Sequence, residues 1–246
     1  MGAFVRGVRS DFYKSRHTFL PWIHLFLPLG FALLAILYCS ITTLKSETVL
    51  SAYLELIGGV FPIVVGLLCS KAADLEAEAG HFQVMMSGTV SRSTAYLSKL
   101  FTLLLFGACS VALAIGLFGG FFQKAPSQFY VWAALLLICS SVFLYLLHLF
   151  VSFQFGGGTS IGLGILETLL ALLALTGLGD GIWYYLPCTW GARLGSDLTS
   201  MWAHPNNMSF YMEIRTWILI AVPITILALI LSLIWFKRWE GRKNYE

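Results

Sequence analysis

Charge is what this chain has least of. Only 11 % of its 246 residues are charged and 58 % are hydrophobic, where a soluble domain carries roughly a quarter charged. A water-soluble core of this size could not hide that much apolar surface, so an ordinary globular enzyme is excluded. Fifteen basic residues stand against twelve acidic ones. They are spread among the segments between apolar runs and leave no footprint for nucleic acid. The five cysteines, Cys39, Cys69, Cys109, Cys139 and Cys188, show no CxxC spacing, which argues against a disulfide framework or a zinc site.

Nucleotide and metal motifs are missing as well. The run Gly156, Gly157, Gly158, Thr159 lacks the lysine of a phosphate-binding loop and reads as a tight turn between two apolar runs. Gly177, Gly179 and Gly181 follow an apolar run instead of a strand, the wrong setting for a dinucleotide fingerprint. No HExxH pair occurs. Asn207, Met208 and Ser209 form a glycosylation sequon, relevant only in a secretory eukaryotic setting. The expectation is a chain with no catalytic residue, no metal and no cofactor bound directly. It is not an enzyme, and any pumping it performs is powered by a partner.

Present instead are six apolar runs of membrane-crossing length: Phe19 to Leu44, Ser51 to Ser70, Leu100 to Phe122, Phe129 to Phe153, Ile161 to Leu178 and Thr216 to Phe236. The first follows a basic segment and has no convincing cleavage site, so it reads as a retained helix, not a signal peptide. Arg6, Arg9, Lys14, Arg16, Lys71, Arg92, Lys99, Lys237, Arg238, Arg242 and Lys243 fall on one side of the spans, against Lys45, Lys124, Arg193 and Arg215 on the other. The positive-inside rule then puts both termini in the cytoplasm. Trp22, Trp132, Trp217 and Trp235 sit near span ends, where an amphipathic ring suits the headgroup layer.

Three stretches between the spans carry more than topology. Phe4, Val5, Val8, Phe12 and Tyr13 recur at helical spacing among Arg6, Arg9, Lys14 and Arg16, the pattern of a helix lying along the inner leaflet. It reads equally as a generic topology anchor or as a contact for a cytoplasmic partner. Between spans two and three, Lys71 to Lys99 is the most polar cytoplasmic segment, with Asp74, Glu76, Glu78, His81 and Arg92 beside Phe82, Val84, Met85 and Met86. One or two helical turns ended by Gly80 and Gly88 would make it a docking element, and a solvated loop is the plain alternative. Before span six, Gly179 to Arg215 is rich in Trp183, Tyr184, Tyr185, Trp190, Trp202, Phe210 and Tyr211. It suits the outer interface, either as an aromatic belt or with part of it re-entering the membrane under cover of other helices.

Ionisable residues inside the apolar runs need protein or water around them. Glu167 lies within span five, His148 within span four and Glu55 near the outer end of span two. Glu167 is expected to hydrogen-bond within the bundle or across to a partner subunit, and His24 and His148 to bond between helices. A buried carboxylate is also compatible with proton coupling, although no inverted repeat or broken-helix pair shows in the sequence.

The basic amphipathic amino terminus, six spans, polar loop between spans two and three with Glu78, Gly80, Ser91, Arg92 and Lys99, and long outer segment before the last span resemble an ABC-2 type transporter permease. The stretch Leu163 to Arg193, and within it Thr176, Gly177, Leu178, Gly179, Asp180, Gly181, Ile182, Trp183, Pro187, Cys188 and Trp190, resembles the lantibiotic-immunity permeases of the MutG type. That resemblance implies one permease domain over residues 1–246, pairing with a second related permease and two copies of a cytoplasmic ATPase that binds ATP and Mg. The site would be the cell membrane of a Gram-positive bacterium, and the substrate a cationic lantibiotic peptide expelled from that membrane. Under this reading the ATPase-coupling residues are Glu76, Glu78, His81, Phe82 and Arg92. Those meeting the peptide are Asp180, Trp183, Tyr184, Tyr185 and Trp190, where a carboxylate and ring faces attract cations. A structural rival has the three glycines forming a sharp turn that Asp180 caps. The other functional readings are export of another amphipathic or lipid-like substrate, a proton-coupled secondary transporter, and a non-transporting membrane sensor.

Overall fold

The computed structural model describes residues 2–80, 82–86 and 91–241. His81, Gly88, Arg242 and Lys243, and the side chain of Val84, lie outside what is described. Helix makes up 87 % of the chain, with no strand among the described residues, and six helices are long and apolar enough to cross a membrane. The protein is an all-α membrane protein. Its helices are α1 (Ala3–Arg16), α2 (Leu20–Ile41), α3 (Ser46–Glu78), α4 (Gln83–Met86), α5 (Arg92–Phe122), α6 (Ser127–Phe155), α7 (Gly157–Leu173), α8 (Trp190–Ala203) and α9 (Ser209–Arg238). The end that carries α1, α4 and the carboxyl end of α9 is called the basic end below.

α1 packs on α5 through its apolar side, with Phe4 against Phe101 (5.6 Å) and Phe12 against Phe106 (4.9 Å). A short turn hands it over to α2. There Thr18 Oγ1 donates to Ser15 O (2.7 Å) and accepts from the Leu20 N–H (3.2 Å), and Pro21 suits a first helical turn.

α3, α5 and α9 have 33, 31 and 30 residues. At 1.5 Å per residue they are about 45–50 Å long, well beyond the ~30 Å hydrocarbon core. The polar connection expected over Lys71 to Lys99 is therefore corrected. Lys71 to Glu78 continue α3, and Arg92 to Lys99 are the first turns of α5, begun by Ser91, whose Oγ accepts from the Thr94 N–H (3.2 Å). The described residues between the two helices are 79, 80, 82–86 and 91, with α4 among them.

The fifth crossing departs most from expectation. α7 leaves Gly156, at φ 96°, with Gly157 set so tightly on Ser70 that a Cβ there would overlap the serine hydroxyl. It then runs antiparallel to α3, Gly164 against Pro62 and Ile63 and Leu172 against Gly59. Its 17 residues span only about 26 Å. A wide π-type turn over Ala174–Leu178 follows, with Gly177 at φ 86°. The chain swings out through two short 3-10 turns and returns to α3 at the level where α7 left it, with Gly191 on Gly58. α8 continues in the direction of α7, Gly195 against Leu54, and ends with His204 Nε2 3.5 Å from Glu47. α7 and α8 thus shadow one face of α3 end to end as a broken helix. The fifth span expected over Ile161 to Leu178 is present, over Gly157–Leu178, and of the two alternatives for the outer segment the packing of α8 on α3 fits the re-entrant one.

The contact is close because side chains are absent. A Cβ on Gly191 would sit 3.0 Å from Gly58 Cα, one on Gly195 2.7 Å from Leu54 Cβ, and one on Gly58 would fall inside the Gly191 backbone. Gly191 and Gly195 form the GxxxG spacing that brings membrane helices together. Gly58→Val should lower the thermal stability of the purified protein in detergent by about 1–3 kcal/mol or more. Gly116→Ala, where nothing lies within 4 Å, should leave it unchanged or raised by up to ~1 kcal/mol.

Candidate functional site

Three polar clusters sit in this apolar framework. The first lies at the basic end, where α1, α3 and α5 meet. Lys99 Nζ lies 2.6 Å from both Asp11 Oδ1 and Glu76 Oε1, Lys14 Nζ lies 2.9 Å from Glu76 Oε2, and Ser98 Oγ donates to Asp11 Oδ2 at 3.0 Å. The charges balance, two against two, and burial is deep: the Glu76 and Lys99 side chains are 1 % and 6 % exposed. Paired ions survive out of water only when each keeps its partners. The expectation that Glu76 faces a partner protein is corrected, since its carboxylate is held from both sides inside the bundle. Phe82 is also internal, edge-on to Phe153 (5.6 Å) and Trp239 (5.0 Å), with its backbone at φ 66°, a region L side chains rarely adopt. Glu78 is exposed. Arg92 Nη1 donates to Lys237 O (3.2 Å) and Trp239 O (2.9 Å), tying α5 to the end of α9.

The second cluster is inside the bundle. His148 is fully buried, with Nδ1 3.0 Å from Ser160 Oγ and Nε2 2.8 Å from Glu167 Oε2. Ser160 Oγ donates to Gly66 O (3.2 Å), which ties this cluster to α3 as well. Glu167 thereby bonds within the bundle, joining α7 to α6. Glu55 is separate, accepting from Ser51 Oγ within α3 (2.6 Å).

The third cluster fills the gap between α7 and α8. Arg193 Nη2 meets Asp180 Oδ1 at 2.6 Å, Nη1 reaches Ala174 O at 3.3 Å, and the guanidinium lies 5.8 Å from the Trp183 ring centroid. Trp183 Nε1–H (3.2 Å) and the Tyr184 hydroxyl both donate to Glu213 Oε2 on α9. Trp190 Nε1–H donates to Tyr184 O (2.9 Å), and its ring meets Phe143 and Trp217 edge-on. Trp183 and Trp190 are 0 % and 1 % exposed, so the expectation that their rings meet a peptide is corrected: they fill the joint of the broken helix. Asp180 and Tyr185 remain exposed and Tyr184 half-buried.

Asp197 on α8 is the anomaly of this cluster. It is 7 % exposed and its Oδ2 has no hydrogen-bond partner.

The sequence reading singled out neither Asp197, Arg193 and Glu213 nor Asp11 and Ser160 as site residues. An acid inside a basic amphipathic helix was the available signal for Asp11. Gly191-x-x-x-Gly195 was the signal that α8 is packed and that Arg193 and Asp197 beside it are not free in solvent.

Lys99→Met should destabilise the protein by about 3–5 kcal/mol, because it leaves Asp11 and Glu76 short of a buried cation. The companion readout is faster proteolysis within α1. Glu167→Gln should keep yield and melting temperature, since an amide N–H can still donate to His148 Nε2. Glu167→Leu should cost about 1–3 kcal/mol through the orphaned imidazole.

Comparison of the chain with protein-family models, with curated proteins and with solved structures finds no match.

Proposed function

We propose that the chain is the permease subunit of an ATP-driven ABC-2 type exporter, of the lantibiotic-immunity kind, that expels cationic amphipathic peptides from the membrane of a Gram-positive bacterium. The observation that carries this reading is the construction of the basic end. Asp11, Lys14, Glu76 and Lys99 bolt α1 to α3 and α5, and Arg92 clamps α5 to the last carbonyls of α9. A push on this end is thereby delivered to three long helices at once, as a subunit driven by an external motor requires. The basic end is the cytoplasmic one under the positive-inside rule. The motor is two copies of an ATPase carrying ATP and Mg, and a second permease completes the pore. Exposed Glu78 at the end of α3 meets the ATPase, and Arg92 passes the movement on through its clamp to α9. The interior positions of Glu76 and Phe82 give them a stiffening role. On the opposite face, exposed Asp180, which shares its carboxylate with Arg193, and the exposed ring of Tyr185 are the groups that meet a basic peptide.

A second reading, proton-coupled transport, is favoured by the His148–Glu167 pair beside a broken helix, since intramembrane carboxylates and discontinuous helices recur in proton- and ion-coupled carriers. One experiment separates the two. The tagged chain is affinity-purified from its native membrane and its partners are identified by mass spectrometry. A stoichiometric ATPase supports the exporter. No ATPase, together with loss of transport in Glu167→Gln at unchanged yield, would sink it in favour of proton coupling. Within the exporter reading, Glu78→Arg should reduce peptide-stimulated ATP hydrolysis several-fold while yield and melting temperature stay at the wild-type level.

A further inference from the structure

Between α1 and α2, on the bundle's outside, lies an open groove of about 1140 Å³. Along its α1 wall stand Arg6, Arg9, Tyr13 and Arg16, at steps of three, four and three residues, which places them on one helical stripe. The other side of α1 is engaged elsewhere, Asp11 and Lys14 in the buried ion cluster and Phe4 on α5. Among the described residues of the lining none is acidic, and Arg9 and Arg16 bring two guanidinium groups to it. Its floor is different in kind: Trp22 and Leu25 of α2 and Phe106 of α5 are apolar. Below them α2 goes on exposing Phe26, Leu33 and Leu37 along the crossing.

A cationic wall above an apolar floor, at the end of a membrane-crossing helix and flanked by Trp22 and Tyr13, matches an amphipathic anion. A free phosphate would leave the floor unused, and a neutral lipid would leave the arginines unused. We propose that this groove binds one anionic phospholipid, its phosphate against the Arg9 and Arg16 guanidinium groups and an acyl chain along Trp22, Leu25 and the exposed face of α2. Basic pockets of this type beside membrane helices hold anionic headgroups. The bound lipid bridges α1 to α2, which the chain itself joins only through the turn at His17 to Phe19.

The test uses the full chain in detergent, titrated with phosphatidylglycerol or phosphatidylcholine and read by native mass spectrometry. One phosphatidylglycerol should be retained at least tenfold more tightly than phosphatidylcholine. In Arg9→Gln/Arg16→Gln that affinity should fall about 25-fold, roughly fivefold for each arginine, with phosphatidylcholine adducts unchanged. Lys237→Gln/Arg238→Gln, which removes two charges from the same end but outside the groove lining, should leave it unaltered. Both variants alter exposed side chains, and an unchanged melting temperature verifies the fold. Equal retention of the two lipids overturns the proposal, as does an equal loss in the control variant, which would mean generic surface charge. Millimolar inorganic phosphate that displaces phosphatidylglycerol would also overturn it, by showing a phosphate site without a lipid.

Discussion

The architecture depends on one close backbone contact, Gly58 of α3 against Gly191 of α8. In an apolar solvent, helices gain nothing from hiding apolar side chains from one another, and association rests on how closely backbones can pack. α3 supplies Gly58, Gly59 and Gly66 along the face that receives α7 and α8, and the partner helices supply Gly164, Gly191 and Gly195. Because both halves of the broken helix press on the same long rod, the break at Gly177 does not detach the second half. It opens a joint, and the joint is where the buried tryptophans and most of the charge of that region collect.

Breaking a helix in such surroundings leaves backbone groups to satisfy, and the side chains around the joint do this work. Arg193 reaches the Ala174 carbonyl released by the π-type turn, Trp190 the Tyr184 carbonyl, and Thr189 the Trp183 carbonyl at 2.9 Å. Glu213 then fixes the joint to α9 through Trp183 and Tyr184. Asp197 is the exception, a carboxyl buried beside this network without a partner for one of its oxygens. Residues that lower stability in this way mark places where something other than stability is being served.

The spans were legible because twenty-residue apolar runs have few alternatives to a membrane helix, and the basic amino terminus because its 3.6-residue periodicity is strong. The ends of α3 and α5 at the basic end were misjudged for a physical reason. Charge density marks solvent in a soluble protein, whereas Glu76 and Lys99 satisfy each other and α1 in a place that composition alone labels a loop. Trp183 and Trp190 were misjudged by the same kind of shortcut, since an aromatic-rich connection suggests an interfacial belt until the backbone is known to turn inward. Glu167 was easier to anticipate: a carboxylate inside an apolar run must have a partner, although nothing local to span five named His148.

The two ends of the bundle are built on opposite principles, and the difference bears on motion. At the basic end, balanced buried ions and the aromatic stack of Phe82, Phe153, Phe236 and Trp239 leave little freedom between α1, α3, α5 and α9. At the far end, α8 is joined to α7 only through a segment with glycines at φ 86° and 76°. Its hold on α3 is a seam of small residues in close contact, Gly191 on Gly58 and Gly195 on Leu54. A displacement applied to the rigid end has one compliant element to act on. That element is the α7–α8 joint, since α7 and α8 are each packed on α3 and the segment between them turns through glycines at positive φ.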